Sequence, residues 1–160
     1  MELLRFPNKK LRARVIKEYV AAAGYRGVVC FSCGNASTAL KEAGLYVIDV
    51  SPRGELEARK WWTPEDIHRA WPDLFDATSG HLPLPLMVKI SAAFKKYLGP
   101  EPYSLNVPTG SGETILALKV AYPTLDFRPV YNLDDATKYN PEAPLNKVVE
   151  GICEMEIINA

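Results

Sequence analysis

The chain has 160 residues, enough for one ordinary domain or two small lobes sharing a cleft. Its 19 Lys and Arg balance 19 Asp and Glu, so no bulk field draws it to nucleic acid or to an anionic membrane, and any anion it takes must be bound locally. No apolar run reaches the length of a membrane span, the start MELLRFPNKKLRARV is too polar for a secretory signal, and three cysteines do not make a disulfide framework; the expectation is a cytoplasmic protein with reduced thiols.

Residues 9–23, KKLRARVIKEYVAAA, place Leu11, Val15, Ile16, Tyr19, Val20 and Ala23 on one helical stripe, with Gly24 as the stop. GVVCF (27–31) is a short apolar run rich in β-branched residues, ASTALKEAG (36–44) a helix closed by Gly44, and LYVIDV (45–50) a second strand. Apolar strands alternating with helices predict an α/β protein whose parallel sheet is covered on both faces.

In TPEDIHRAW (63–71), Thr63 is the N-cap, Pro64 takes the first helical position and acids fill the first turn. PDLFDATSGHLPLP (72–85), with three prolines, reads as a connector between lobes that borders a site. LMVKISAAFKKYLG (86–99) is an amphipathic helix, YSLNV (103–107) a strand, 112–122 a helix and FRPVYNL (127–133) a further strand. The tail from Asp134 is turn-rich until CEMEII, which alternates like an edge strand. The expected division is a lobe over 1–80 and a second over 81–160, or one compact domain.

Three turns carry the chemistry. In VPTGSGETILAL (107–118), the segment Thr109-Gly110-Ser111-Gly112-Glu113-Thr114 offers small residues, hydroxyls and backbone donors at a helix start, a setting for a phosphate monoester. It lacks the lysine of a nucleotide P-loop, and the same residues also make an ordinary helix cap. SCGNAS (32–37) is a second strand-to-helix turn, suited to a carboxylate or to simple capping. Cys30 and Cys33 form a C-x-x-C at that junction, which keeps a thiol redox protein in view. Cys30 also fits a core position of the strand. With only Cys153, His68 and His81 left as partners and no paired spacing, zinc is set aside. Asp49 beyond the turn imitates a dinucleotide-binding unit, but the G-x-G-x-x-G pattern is missing. Lys9 and Lys10 at the first helix start oppose its dipole, as surface charges or for a functional reason.

NKKLRAR, SCGNAS and NVPTGSGETILAL, in that order, resemble the three motifs of the fold-type II pyridoxal-phosphate enzymes, the superfamily of threonine synthase, the serine and threonine dehydratases and the cysteine synthases. The likeness covers roughly residues 5–132 and implies a minimal, tryptophan synthase β-like architecture of parallel-sheet lobes. It implies pyridoxal phosphate carried on Lys10 as a Schiff base, with Asn35 at the phenolic oxygen and Thr109, Gly110, Ser111, Gly112 and Thr114 around the phosphate. Ser32, Cys33 and Gly34 would take the substrate's α-carboxylate. The activity so implied is a lyase or synthase acting on an amino acid or amino-acid-like substrate by β- or γ-elimination or replacement, in a homo-oligomer that completes the cleft. The alternatives are a degenerate scaffold of this fold that keeps a ligand site without catalysis, and the thiol redox protein. Asn8 stands in place of the usual Ser or Thr, and Glu113 in place of glycine, where it would repel a phosphate unless its side chain turns to solvent. Residues that partner the pyridine nitrogen in the family have no clear counterpart; Cys153 is the candidate.

Overall fold

A computed structural model describes residues 2–31, 35–50, 61–78, 80–100, 105–108, 113–130 and 155–159. In chain order the elements are β1 (Glu2–Phe6), α1 (Asn8–Ala23), β2 (Gly27–Cys30), α2 (Asn35–Glu42), β3 (Val47–Asp49), α3 (Pro64–Ala70), β4 (Leu74–Asp76), α4 (Leu84–Leu98), β5 (Leu105–Pro108), α5 (Glu113–Ala121), β6 (Phe127–Val130) and β7 (Met155–Asn159). The fold is mixed α/β.

Strands β3, β2 and β4 form a parallel sheet in that order, with Cys30 opposite Asp49 and Val29 opposite Asp76. Successive side chains of a strand alternate between faces. Val28 and Cys30 accordingly join one core with Ile16 and Val20 of α1 and Leu40 of α2, while Val29 and Phe31 join a second, smaller core with Ile67 of α3 and Leu74. Both faces are covered, which is why GVVCF is continuously apolar.

The second sheet has the order β1-β7-β5-β6. β5 and β6 are parallel, but β7 runs antiparallel to both β1 and β5, so this sheet is mixed rather than wholly parallel. CEMEII therefore does not end the sheet: β7 lies inside it, between β1 and β5, and the N-terminal ELLRF supplies the edge. The expected division near residue 80 falls between β4 and α4, yet β1 is part of the sheet that contains β5. The larger core likewise joins Phe6, Ala13 and Phe75 to Leu86, Phe94, Leu105 and Leu118.

Helix ends follow local chemistry. Gly24 closes α1 with φ 80°, a left-handed conformation that glycine adopts without steric cost. Thr63 and Asp66 form a reciprocal capping box on α3: the Thr63 hydroxyl accepts from Asp66 N at 3.1 Å and Asp66 accepts from Thr63 N at 3.1 Å. The supposed connector holds an element of its own, since Leu74–Asp76 is the third strand of the parallel sheet.

Candidate functional site at the C-terminal edge of the parallel sheet

β2, β3 and β4 end side by side at Cys30, Asp49 and Asp76, and the carboxyl ends of parallel strands are where open α/β sheets bind ligands. The first turns of α1 and α5 meet next to this edge. Asn8, buried at the start of α1, donates from Nδ2 to Thr114 Oγ1 at 3.3 Å. One turn on, Arg12 Nε donates to Glu113 Oε1 at 2.5 Å, and Arg12 Nη2 donates to Ala77 O at 2.7 Å. The other Glu113 oxygen, Oε2, accepts from Gly80 N at 3.1 Å. Both side chains of the ion pair are only 11 % exposed. Burying two charges is costly unless further hydrogen bonds support them, and here Ala77 O accepts from Arg12 while Gly80 N donates to Glu113.

The segment 77–81 is thereby clamped between α1 and α5, and its own contacts fix it further. Asp76 Oδ1 accepts from Thr78 N at 3.0 Å, Asp76 Oδ2 lies 2.6 Å from His81 Nδ1, and His81 N donates to Thr78 O at 3.0 Å. Ala77 N donates to Val29 O at 2.8 Å, tying the segment to β2. Thr78 is fully buried, and its Oγ1 is the one buried side-chain polar atom among the described residues without a hydrogen-bond partner. Such an unmet hydroxyl costs about 1–3 kcal/mol.

Glu113 does not turn to solvent, the condition under which it would not repel a phosphate bound by the preceding residues. It is buried and held by Arg12, so its charge is compensated where it stands. Lys10 is exposed on the first turn of α1, roughly 200° around the helix from Asn8 and Arg12. Asn35 opens α2. Ser32, Cys33 and Gly34, and Thr109, Gly110, Ser111 and Gly112, lie outside the described residues, as does Cys153. Of the residues expected around the cofactor phosphate, Thr114 is thus the one whose contact is visible, and it joins the third motif to Asn8 of the first.

Cys30 is a buried core residue whose thiol is pushed up to about 12, first by burial and then by the nearby Asp49 carboxylate. A redox-active cysteine needs the opposite, a stabilised thiolate. Among the described residues no group of His, Cys, Asp and Glu has the makings of a metal site, and no helix is long and apolar enough to cross a membrane.

Sequence reasoning passed over Arg12, Asp76 and Thr78, and weighed His81 only as a zinc ligand. The signal available was the run DATSGH, where polar groups crowd a stretch that already looked like the border of a site. Comparison of the chain with protein-family models, with curated proteins and with solved structures finds no match in any of the three.

Proposed function

We propose that the chain binds pyridoxal phosphate and acts as a lyase or synthase on an amino acid or amino-acid-like substrate. The observation that carries this reading is the junction of Asn8 with Thr114 and of Arg12 with Glu113, which sets the first and third motifs against each other across 106 and 101 residues of chain. β2 ends at Cys30, two residues before Ser32 opens the second motif in sequence.

The described residues fit the cofactor on two counts. Lys10 is exposed on the first turn of α1, and the Glu113 carboxylate, which directly follows residues 109–112 in sequence, is paired with Arg12 and so is not itself an uncompensated charge. When bound, pyridoxal phosphate supplies an electron sink for the substrate's α-carbon. Lys10 would hold it and, once displaced by substrate, exchange a proton at the α-carbon. Thr109, Gly110, Ser111, Gly112 and Thr114 would orient the phosphate, Asn35 the ring oxygen, and Ser32, Cys33 and Gly34 the substrate carboxylate.

Borohydride reduction of the full chain mixed with pyridoxal phosphate, followed by peptide mapping, tests this reading. A stable adduct on Lys10 supports it, and an unmodified Lys10 overturns it. One observation favours a second reading, a scaffold with a ligand site and no catalysis: the residue in the place of a motif glycine is Glu113, and its carboxylate is engaged with Arg12 and Gly80. That reading predicts the fold with no adduct.

A further inference from the structure

The chain places a histidine and an aspartate together at the edge of the parallel sheet, and nothing in the motif resemblance uses them. Asp76 ends β4 and is held by Thr78 N through Oδ1; its Oδ2 lies 2.6 Å from His81 Nδ1. A carboxylate on Nδ1 keeps a hydrogen there and leaves Nε2 as the nitrogen that gains and loses a proton. The His81 side chain is 19 % exposed, so the ring is held among neighbours without being sealed from a ligand. The peptide carrying it is locked to α5 by Gly80 N on Glu113 and to α1 by Arg12 on Ala77 O. The segment that carries the pair is therefore tied to the starts of α1 and α5, on the Arg12 side of α1. Thr78, whose carbonyl receives His81 N, is itself fully buried, and its Oγ1 lacks a partner.

We infer that Asp76 and His81 are an acid–base pair serving this site, with His81 delivering the proton to a leaving oxygen on the substrate's β-carbon and Asp76 as its positioning residue. This rests on the proposed amino-acid chemistry. As the Cβ–O bond breaks, its electron pair stays on oxygen and the Nε2 proton of the protonated ring passes to that oxygen, so water departs in place of hydroxide. The α-proton goes to the Lys10 amine, and the electron pair of the Cα–H bond becomes the Cα=Cβ bond. Asp76, on Nδ1, orients the ring so that Nε2 is the atom that transfers the proton.

The test compares two substrates on the full chain loaded with pyridoxal phosphate: L-serine, whose hydroxyl must be protonated to leave, and 3-chloro-L-alanine, whose chloride leaves unprotonated. His81→Gln is expected to lower kcat/KM on serine by roughly 100-fold or more and to leave chloroalanine turnover unchanged. Asp76→Asn should lose activity on serine alone, by a smaller factor, and His68→Gln, an exposed site on α3, should lose neither. Equal losses on both substrates, or none on serine, would overturn the inference while a Lys10 adduct left the proposed function standing. Absence of that adduct overturns the proposed function and the leaving-group role together. A readout without cofactor is the 15N spectrum of the neutral imidazole: hydrogen on Nδ1 in the wild-type chain and its redistribution in Asp76→Asn support the pair, whereas hydrogen on Nε2 in the wild type contradicts it.

Discussion

Arg12 of α1 and Glu113 of α5, 101 residues apart in sequence, meet at 2.5 Å in a setting where each side chain is only 11 % exposed. The pair welds the two helix starts that frame the candidate site, and through Ala77 O and Gly80 N it also fixes the segment that follows β4.

Among the described residues, Arg12→Ala would leave the buried Glu113 carboxylate with Gly80 N as its hydrogen-bond partner and would remove the Arg12 donor from Ala77 O. A loss of about 3–5 kcal/mol is expected from the midpoint of urea unfolding, because removing one member of a buried pair strands the other. Arg12→Ala/Glu113→Ala should lose less than the sum of the single changes, and strict additivity would show that the ion pair does not couple the helices.

Cys30 gives the chain an alkaline sensitivity of defined sign. Its folded thiol is raised to about 12 from an ordinary 9.0 by burial, with Asp49 adding to the shift, so between these values the unfolded chain has lost a proton that the folded chain retains. Stability from this group is fully present below pH 9.0 and falls as pH rises toward about 12, at up to about 1.4 kcal/mol per pH unit. Comparing unfolding of wild type and Cys30→Ala across that window should show the slope diminish in the variant; equal slopes would contradict the buried thiol. Native Cys30 should also resist alkylation at neutral pH until the chain is unfolded.

Gly27 opens β2 where the chain of β3 passes closest: a Cβ built there would run into the Tyr46 carbonyl oxygen. Because that obstacle is backbone, it cannot swing away. Gly27→Ala is expected to lower stability by about 1–3 kcal/mol in thermal or urea unfolding, through displacement of the β2–β3 pairing. A neutral result would show that the two strands separate freely at this point.

Thr63→Ala tests the capping box on α3. It removes the hydroxyl that accepts from Asp66 N, and a cost of about 0.5–2 kcal/mol is expected in urea unfolding, with Thr63→Ser retaining most of the stability.

The elements that sequence made legible are those written in local residues. The α1 helix ending at Gly24, the Thr63–Pro64 start of α3 and the apolar β2 run each depend on neighbours within a few positions and stand as expected, although Ala23 of the α1 stripe is exposed and Ala13, outside it, is buried. What escaped depends on distant partners. ELLRF becomes β1 only because residues 155–159 pair with it, and the same pairing puts β7 inside the sheet. Leu74–Asp76 is three residues long and flanked by proline-containing stretches, so nothing in its own pattern distinguishes a strand until β2 lies beside it. The site divides in the same way. The hydroxyl and glycine turns were visible as motifs, but the partner of Glu113 is an arginine 101 residues away, and the bond from Asp76 to His81 needs the turn that carries Thr78. A carboxylate beside residues proposed to take a phosphate looked like a conflict on paper; in the fold it has a cation of its own.

The decisive measurement is the visible absorbance spectrum of the full chain titrated with pyridoxal phosphate, then reduced with borohydride and mapped, for wild type, Lys9→Ala and Lys10→Ala. If Lys10 carries the cofactor, a band appears in wild type and Lys9→Ala, reduction fixes it on the peptide containing Lys10, and Lys10→Ala shows neither band nor adduct. A wild-type chain that gives no band, or an adduct that survives Lys10→Ala on other lysines, would contradict it.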